Sequence, residues 1–168
     1  MDTARIIGYL YEYGLILLFV VVFLEYFNLP GFPAGVILPA TGFLIRQGNM
    51  NFWLALVVSV SAGTLGSILA YGVGKVGGQR LLTFLVKKFP KRKHYVAKYV
   101  GLIEKHGTKI VFIAKLTPVI RTLIGIPAGT LNMNFMAYLL YSLLGVSIWN
   151  IFFMGIGYMI PELYPNFF

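Results

Sequence analysis

The sequence contains no cysteine and very little charge. The first absence excludes disulfides and any zinc or redox chemistry that needs a thiolate. The second argues against an ordinary soluble domain. Only 11% of the 168 residues are Asp, Glu, Lys or Arg, against about 25% in globular proteins. Acids are scarcest, at five. They form no paired carboxylates, and no Ser-His-Asp constellation is present, so nothing supports a hydrolytic enzyme.

Whole stretches lack charge altogether. Residues 47–74 and 122–161 contain no Asp, Glu, Lys or Arg, and residues 13–45 contain only Glu25. A spanning helix needs about 20 apolar residues to cross roughly 30 Å of hydrocarbon, and each run is long enough. With 58% hydrophobic residues and a mean hydropathy of +0.81, the chain reads as an all-α, polytopic integral membrane protein. Arg5 is offset by Asp2 and no A-x-A site follows the first apolar run, so residues 13–29 read as retained rather than as a cleaved signal.

What charge there is has a strong bias. Residues 75–109 hold ten of the fourteen basic residues and one acid, Glu104; bases and acids balance elsewhere. The positive-inside rule places this segment in the cytoplasm. Leu82, Leu85, Val86 and Phe89, then Val96, Tyr99, Val100 and Ile103, fall at helical spacing. Two short amphipathic helices broken at Phe89-Pro90 follow. They lie either on anionic lipid headgroups or against the protein itself. Headgroups beside a membrane explain the basic patch better than nucleic acid does. No metal-ligand spacing surrounds His94 or His106. G-V-G-K-V-G-G lacks the G-K-[ST] of a phosphate-binding loop. Trp53 and Trp149 read as interfacial anchors or packing.

Two segments are broken by proline and glycine. The first carries Pro30, Gly31, Pro33, Gly35, Pro39 and Gly42; the second carries Pro118, Gly125, Pro127 and Gly129. Proline blocks helix continuation, and irregular backbone in lipid must face protein or water. Each segment therefore reads as a re-entrant helical hairpin. At an offset of 83, Asn49-Met50-Asn51-Phe52 repeats as Asn132-Met133-Asn134-Phe135, Gly72-x-Gly74 repeats as Gly155-x-Gly157, Gly42 falls on Gly125, and Ser67 falls on Asn150. The predicted architecture is one membrane domain over residues 1–168. Repeat 1 spans about 13–74, the amphipathic linker 75–109, and repeat 2 about 110–160. The long helices, about 52–74 and 134–158, run in opposite senses, giving the inverted repeat typical of transporters.

The broken segments carry three charges: Glu25, Lys115 and Arg121. A charge in hydrocarbon costs at least about 2.5 kcal/mol on insertion scales, so these groups should face one another, water or a ligand. Lys115 and Arg121 flank Pro118 and are expected to line one polar cavity. Arginine suits bidentate phosphate binding and lysine adds a mobile charge. Two compatible readings follow. Glu25 pins the hairpins together through Arg121, or the cavity binds an anionic headgroup with Glu25 as its switch. Ser67 and Asn150 are expected to hydrogen-bond across the bundle.

These residues resemble the DedA family of membrane proteins, also called the VTT or SNARE-associated domain. The resemblance covers nearly the whole chain. It rests on Glu25-Tyr-Phe-Asn-Leu-Pro30-Gly-Phe-Pro33 with Ala40-Thr-Gly42, and on Gly63-Thr-Leu-Gly66 with Tyr71-Gly-Val-Gly74-Lys75 and Gly77-Gly78. It is most specific at His106-Gly107, Lys115-Leu-Thr-Pro118-Val-Ile-Arg121, Pro127-Ala128-Gly129, Phe135 and Trp149. The resemblance implies opposed re-entrant hairpins. It also implies movement of a phosphate-headgroup lipid, such as undecaprenyl phosphate or phosphatidylethanolamine, across the cytoplasmic membrane. Phosphate binding then falls to Lys115, Arg121, Glu25 and the Pro118 break, with Ser67, Asn150, Pro30, Pro33, Pro127 and Gly129 in support. Lys115 stands where the family pattern has its first arginine. Two family acids are absent, replaced by Ala34 or Gly35 and by Ser67. That leaves proton coupling open and shifts weight toward a zwitterionic phospholipid or uncoupled transport. No cofactor is implied. The chain is expected to lack the extra C-terminal span of longer members. The competing function is a non-transport membrane protein that organises partners through its basic segment.

Overall fold

A computed structural model describes residues 3–27, 34–88, 93–118 and 120–163. Every regular element among them is helical. The order is α1 (Thr3–Tyr26), α2 (Ala34–Arg46), α3 (Phe52–Lys88), α4 (Lys93–His106), α5 (Lys109–Lys115), α6 (Ile120–Leu123), α7 (Gly125–Thr130) and α8 (Phe135–Leu163). Within α3 and α8, Phe52–Arg80 and Phe135–Met159 are long and apolar enough to cross a membrane. At about 1.5 Å per residue, the 13-residue α2 falls short of a roughly 30 Å hydrocarbon core.

The repeated Asn-Met-Asn-Phe words have a local physical cause. Asn51 Oδ1 accepts the Leu54 N–H at 3.1 Å, and Asn134 Oδ1 accepts the Ala137 N–H at 3.0 Å. Each second asparagine therefore caps the N-terminus of a long helix, satisfying a backbone donor that helix geometry orphans.

The packing alternates between halves. α1 packs on α3 and α5 packs on α8, each within its own half. α2 packs on α8 and α7 on α3, each across to the other half. The crossing contacts are backbone-close, and glycine makes them possible. A side chain at Gly42 would strike the Met154 carbonyl and Tyr158, and one at Gly129 would strike Tyr71 and Lys75. Gly157 lies against Pro39 in the same way as Gly74 lies against Ile126. These contacts correct the sequence pairing of Gly42 with Gly125. Met154 and Tyr158 lie 83 residues beyond Tyr71 and Lys75, whereas Gly129 lies 87 beyond Gly42. The broken arms are offset by four residues more than the long helices. Four residues are about one helical turn, so the same face is presented.

Two further boundaries differ from the sequence reading. The first long helix does not stop near Gly74. It runs to Lys88, through a kink at Gly78, whose φ of 54° lies in the left-handed region. Lys75, Arg80 and Lys87 therefore sit on a continuation of α3, and all three are exposed. The expected break at Phe89-Pro90 lies outside the described residues. α4 is not only a surface helix. Its Ile103 is 5% exposed and joins the buried cluster of Ile110, Val111 and Ile124, favouring packing against the protein at that end.

Candidate functional site

The break after α5 sets the geometry. Pro118 supplies no backbone N–H, and the helix is interrupted at Leu116–Pro118 before the Arg121 N–H closes the next turn on the Thr117 carbonyl at 3.1 Å. Lys115 ends one helix and Arg121 lies in the next. Both turn inward, at 1% and 4% exposure. Pro118 itself is exposed and works by shaping the chain.

The two basic groups meet one aromatic ring. Lys115 Nζ lies 5.2 Å and Arg121 Cζ 4.9 Å from the centroid of Tyr26, which is fully buried. The Arg121 guanidinium also lies 4.6 Å from the Trp149 ring, so two π faces hold it. It donates to the Tyr26 hydroxyl at 2.9 Å and forms an ion pair with Glu25. Lys115 donates to Ser67 Oγ at 2.7 Å, and that hydroxyl donates onward to the Gly63 carbonyl at 2.7 Å. The Tyr138 hydroxyl donates to the Ser67 carbonyl at 3.0 Å, and its ring lies 5.9 Å from Lys115 Nζ.

Glu25, Lys115, Arg121 and Ser67 thus form one cluster, drawn from α1, α3, α5 and α6. Ser67 makes the expected bond across the bundle. Asn150 does not: it is fully buried with no hydrogen-bond partner among the described residues. An unsatisfied buried polar group costs roughly 1–3 kcal/mol, so its retention calls for a reason. Pro127 and Gly129 lie on α7, where Gly129 sits against α3 near Tyr71 and Lys75; they position the second break. Pro30 and Pro33 lie outside the described residues.

The sequence reading missed Tyr26 and Tyr138 as site residues and gave Trp149 too general a role. Tyr26 follows Glu25 directly, and that adjacency was its one signal. Tyr138 enters the site by tertiary packing alone. Trp149 faces a cation, whereas Trp53 is 71% exposed as an anchor would be.

Among the described residues the cluster sets two basic side chains against one carboxylate. Burying such an excess is unfavourable unless a further anion or strong acceptor answers it. Arg121 can present guanidinium N–H groups to a phosphate if Glu25 yields, and Lys115 stands beside the same Tyr26 ring. As described, both cations are covered by protein, so a headgroup reaches them only after the helices separate.

Comparison with known proteins identifies the family. The VTT-domain family model matches residues 29–159. The chain belongs to the VTT-domain, or DedA, family. It is 30% identical over 125 residues to Undecaprenyl phosphate transporter A of Bacillus subtilis, covering 74% of this chain and 63% of that protein. It is 29% identical over 143 residues to the Staphylococcus aureus protein of the same name, covering 83% and 70%. Similarity to Protein DedA of Escherichia coli K12 is 27% over 166 residues, covering 92% and 75%. The chain thus spans under two thirds of the B. subtilis relative. No solved structure matches it. As a family member with two long apolar helices, it is a membrane protein, and its family is associated with lipid transport.

Proposed function

We propose that this DedA-family protein is a translocase for lipids with a phosphate headgroup, such as undecaprenyl phosphate or phosphatidylethanolamine, in the cytoplasmic membrane. Arg121 and Lys115 bind the phosphate, Glu25 competes for Arg121 and promotes release, and the acyl or prenyl chain stays in the bilayer. The observation that carries this reading is the burial of two basic groups against the Tyr26 ring, where Arg121 pairs with the Glu25 carboxylate and Lys115 has only the neutral Ser67 hydroxyl among the described residues. The names of the two undecaprenyl phosphate transporters similar to this chain support the same headgroup chemistry.

The proposed architecture is an inverted repeat of two re-entrant hairpins, α1–α2 and α5–α7, each followed by a spanning helix. Exchange of α2 and α7 between the long helices supports it, because two-fold related halves would pack in that way. Residues 75–109 are cytoplasmic by their charge. Beyond Gly78 a surface hollow lined by Gln79, Arg80, Thr83, Phe84 and Lys87 combines cations with an exposed aromatic, which suits anionic headgroups.

The test is transbilayer movement of fluorescent lipid in proteoliposomes. Arg121→Ala is expected to abolish it. Glu25→Gln/Arg121→Ala, which leaves no buried carboxylate without its cation, is expected to fold and remain inactive. Movement at the parental rate by that double variant would refute the mechanism.

A further inference from the structure

Asn150 is a buried polar residue that the mechanism above does not use. A carboxamide offers two donor hydrogens and an acceptor oxygen, yet neither Nδ2 nor Oδ1 has a partner among the described residues. Its direction follows from its neighbours. Val146 and Met154, one turn to either side on α8, belong to the buried cluster with Leu18 and Val22 of α1 and Leu38 of α2. Residues four apart share a helix face, and Gly63 of α3 packs on Val146 while Gly42 of α2 packs on Met154, so Asn150 lies on the face turned toward α2 and α3 and away from lipid. The indole Nε1 of Trp149, the next residue back, is likewise buried with no partner among the described residues, although its ring covers Arg121.

The contact between the long helices gives this position a counterpart. Gly63 of α3 packs on Val146 of α8, and the two are themselves related by the offset of 83. Ser59 and Ser67 lie four residues to either side of Gly63. Ser142 and Asn150 lie four residues to either side of Val146, and all four are buried. The long helices therefore carry one polar seam, symmetric about the Gly63–Val146 contact. At Ser67 the seam is answered by Lys115 from the second broken segment. At Asn150, the counterpart of Ser67, no described residue answers it.

We propose that Asn150 forms a second headgroup station, where its Nδ2 donates to a phosphate oxygen of the translocating lipid, on the far side of the Gly63–Val146 contact from Lys115. This inference rests on the lipid-translocation reading. Neutral donors hold phosphate less tightly than a guanidinium does, which suits a station that must pass the headgroup on.

The experiment uses the full chain in phosphatidylcholine–phosphatidylglycerol vesicles, with acyl-labelled fluorescent phosphatidylethanolamine as probe and dithionite quenching as readout. Asn150→Leu is expected to slow the initial rate about tenfold without lowering the thermal unfolding temperature, because an apolar near-isostere removes an unsatisfied group. Asn150→Gln is expected to stay within about threefold of the parental rate. Asn150→Ala replaces the leucine variant if that variant does not fold. Parental rates for Asn150→Leu beside an inactive Arg121→Ala overturn the second station and leave the translocation reading standing. Parental rates for both variants, or no probe movement by the parent protein, overturn both.

Discussion

The two broken segments repeat a shape without repeating a chemistry. α2 and α7 each cross to the long helix of the other half, and each approach is made backbone-close by two glycines, Gly42 and Gly157 on one side and Gly129 and Gly74 on the other. Their surroundings then diverge. The second segment brings Lys115 and Arg121 inward, while the first contributes Glu25 and Tyr26 from the arm before its break. Backbone packing is thus similar on both sides, while both buried basic groups come from one. Similar backbone contacts tolerate different side-chain chemistry, because close packing constrains volume and polar groups constrain only their own partners.

The largest expected effect tests the charged side of this contrast. Arg121→Ala leaves Glu25 buried without its cation and should destabilise by about 3–5 kcal/mol, read as a fall in thermal unfolding in detergent, whereas Lys115→Met should stay within about 1 kcal/mol of the parent. An equal cost for both would mean that Lys115 and Arg121 share one network. Next come the glycines that the two halves have in common. Gly42→Ala and Gly129→Ala each force a methyl against backbone and should cost roughly 1–3 kcal/mol. Similar losses would support matched halves; a loss confined to Gly129 would break the comparison. The caps come third, with Asn51→Ala and Asn134→Ala expected to cost about 1 kcal/mol each. Gly35→Ala has no atom within 4 Å of the new methyl and should leave the unfolding temperature unchanged, providing the baseline.

Much of this was legible in the chain. The charge-free runs announced two long apolar helices, Pro118 announced a break, and the motif from Lys115 to Arg121 announced the family, whereas Pro39 and Pro127 stand inside helices rather than at breaks. The repeat was visible as words, but its register was not. A uniform offset of 83 matched the long helices and misassigned the glycines of the broken arms by one turn. Helix faces recur at three to four residues, so a one-turn slip preserves the apolar pattern and leaves no trace in it. The end of α3 was misjudged for a related reason. The first lysine was read as a boundary, but a lysine tolerates a helix well, and the chain turns only at Gly78, where a left-handed residue is needed.

By itself the sequence determined that the chain enters a membrane, that a helix is interrupted at Pro118, and which charges are too costly to leave facing lipid. Those outcomes follow from transfer free energy and backbone hydrogen bonding, which act locally. Tertiary structure alone decided that Lys115 and Arg121 meet on Tyr26, that Tyr138 closes over Ser67, and that Asn150 is sealed inside without a described partner. These depend on contacts between residues far apart in the chain. Such contacts arise only when helix faces have been brought together, and no local pattern records which faces will meet.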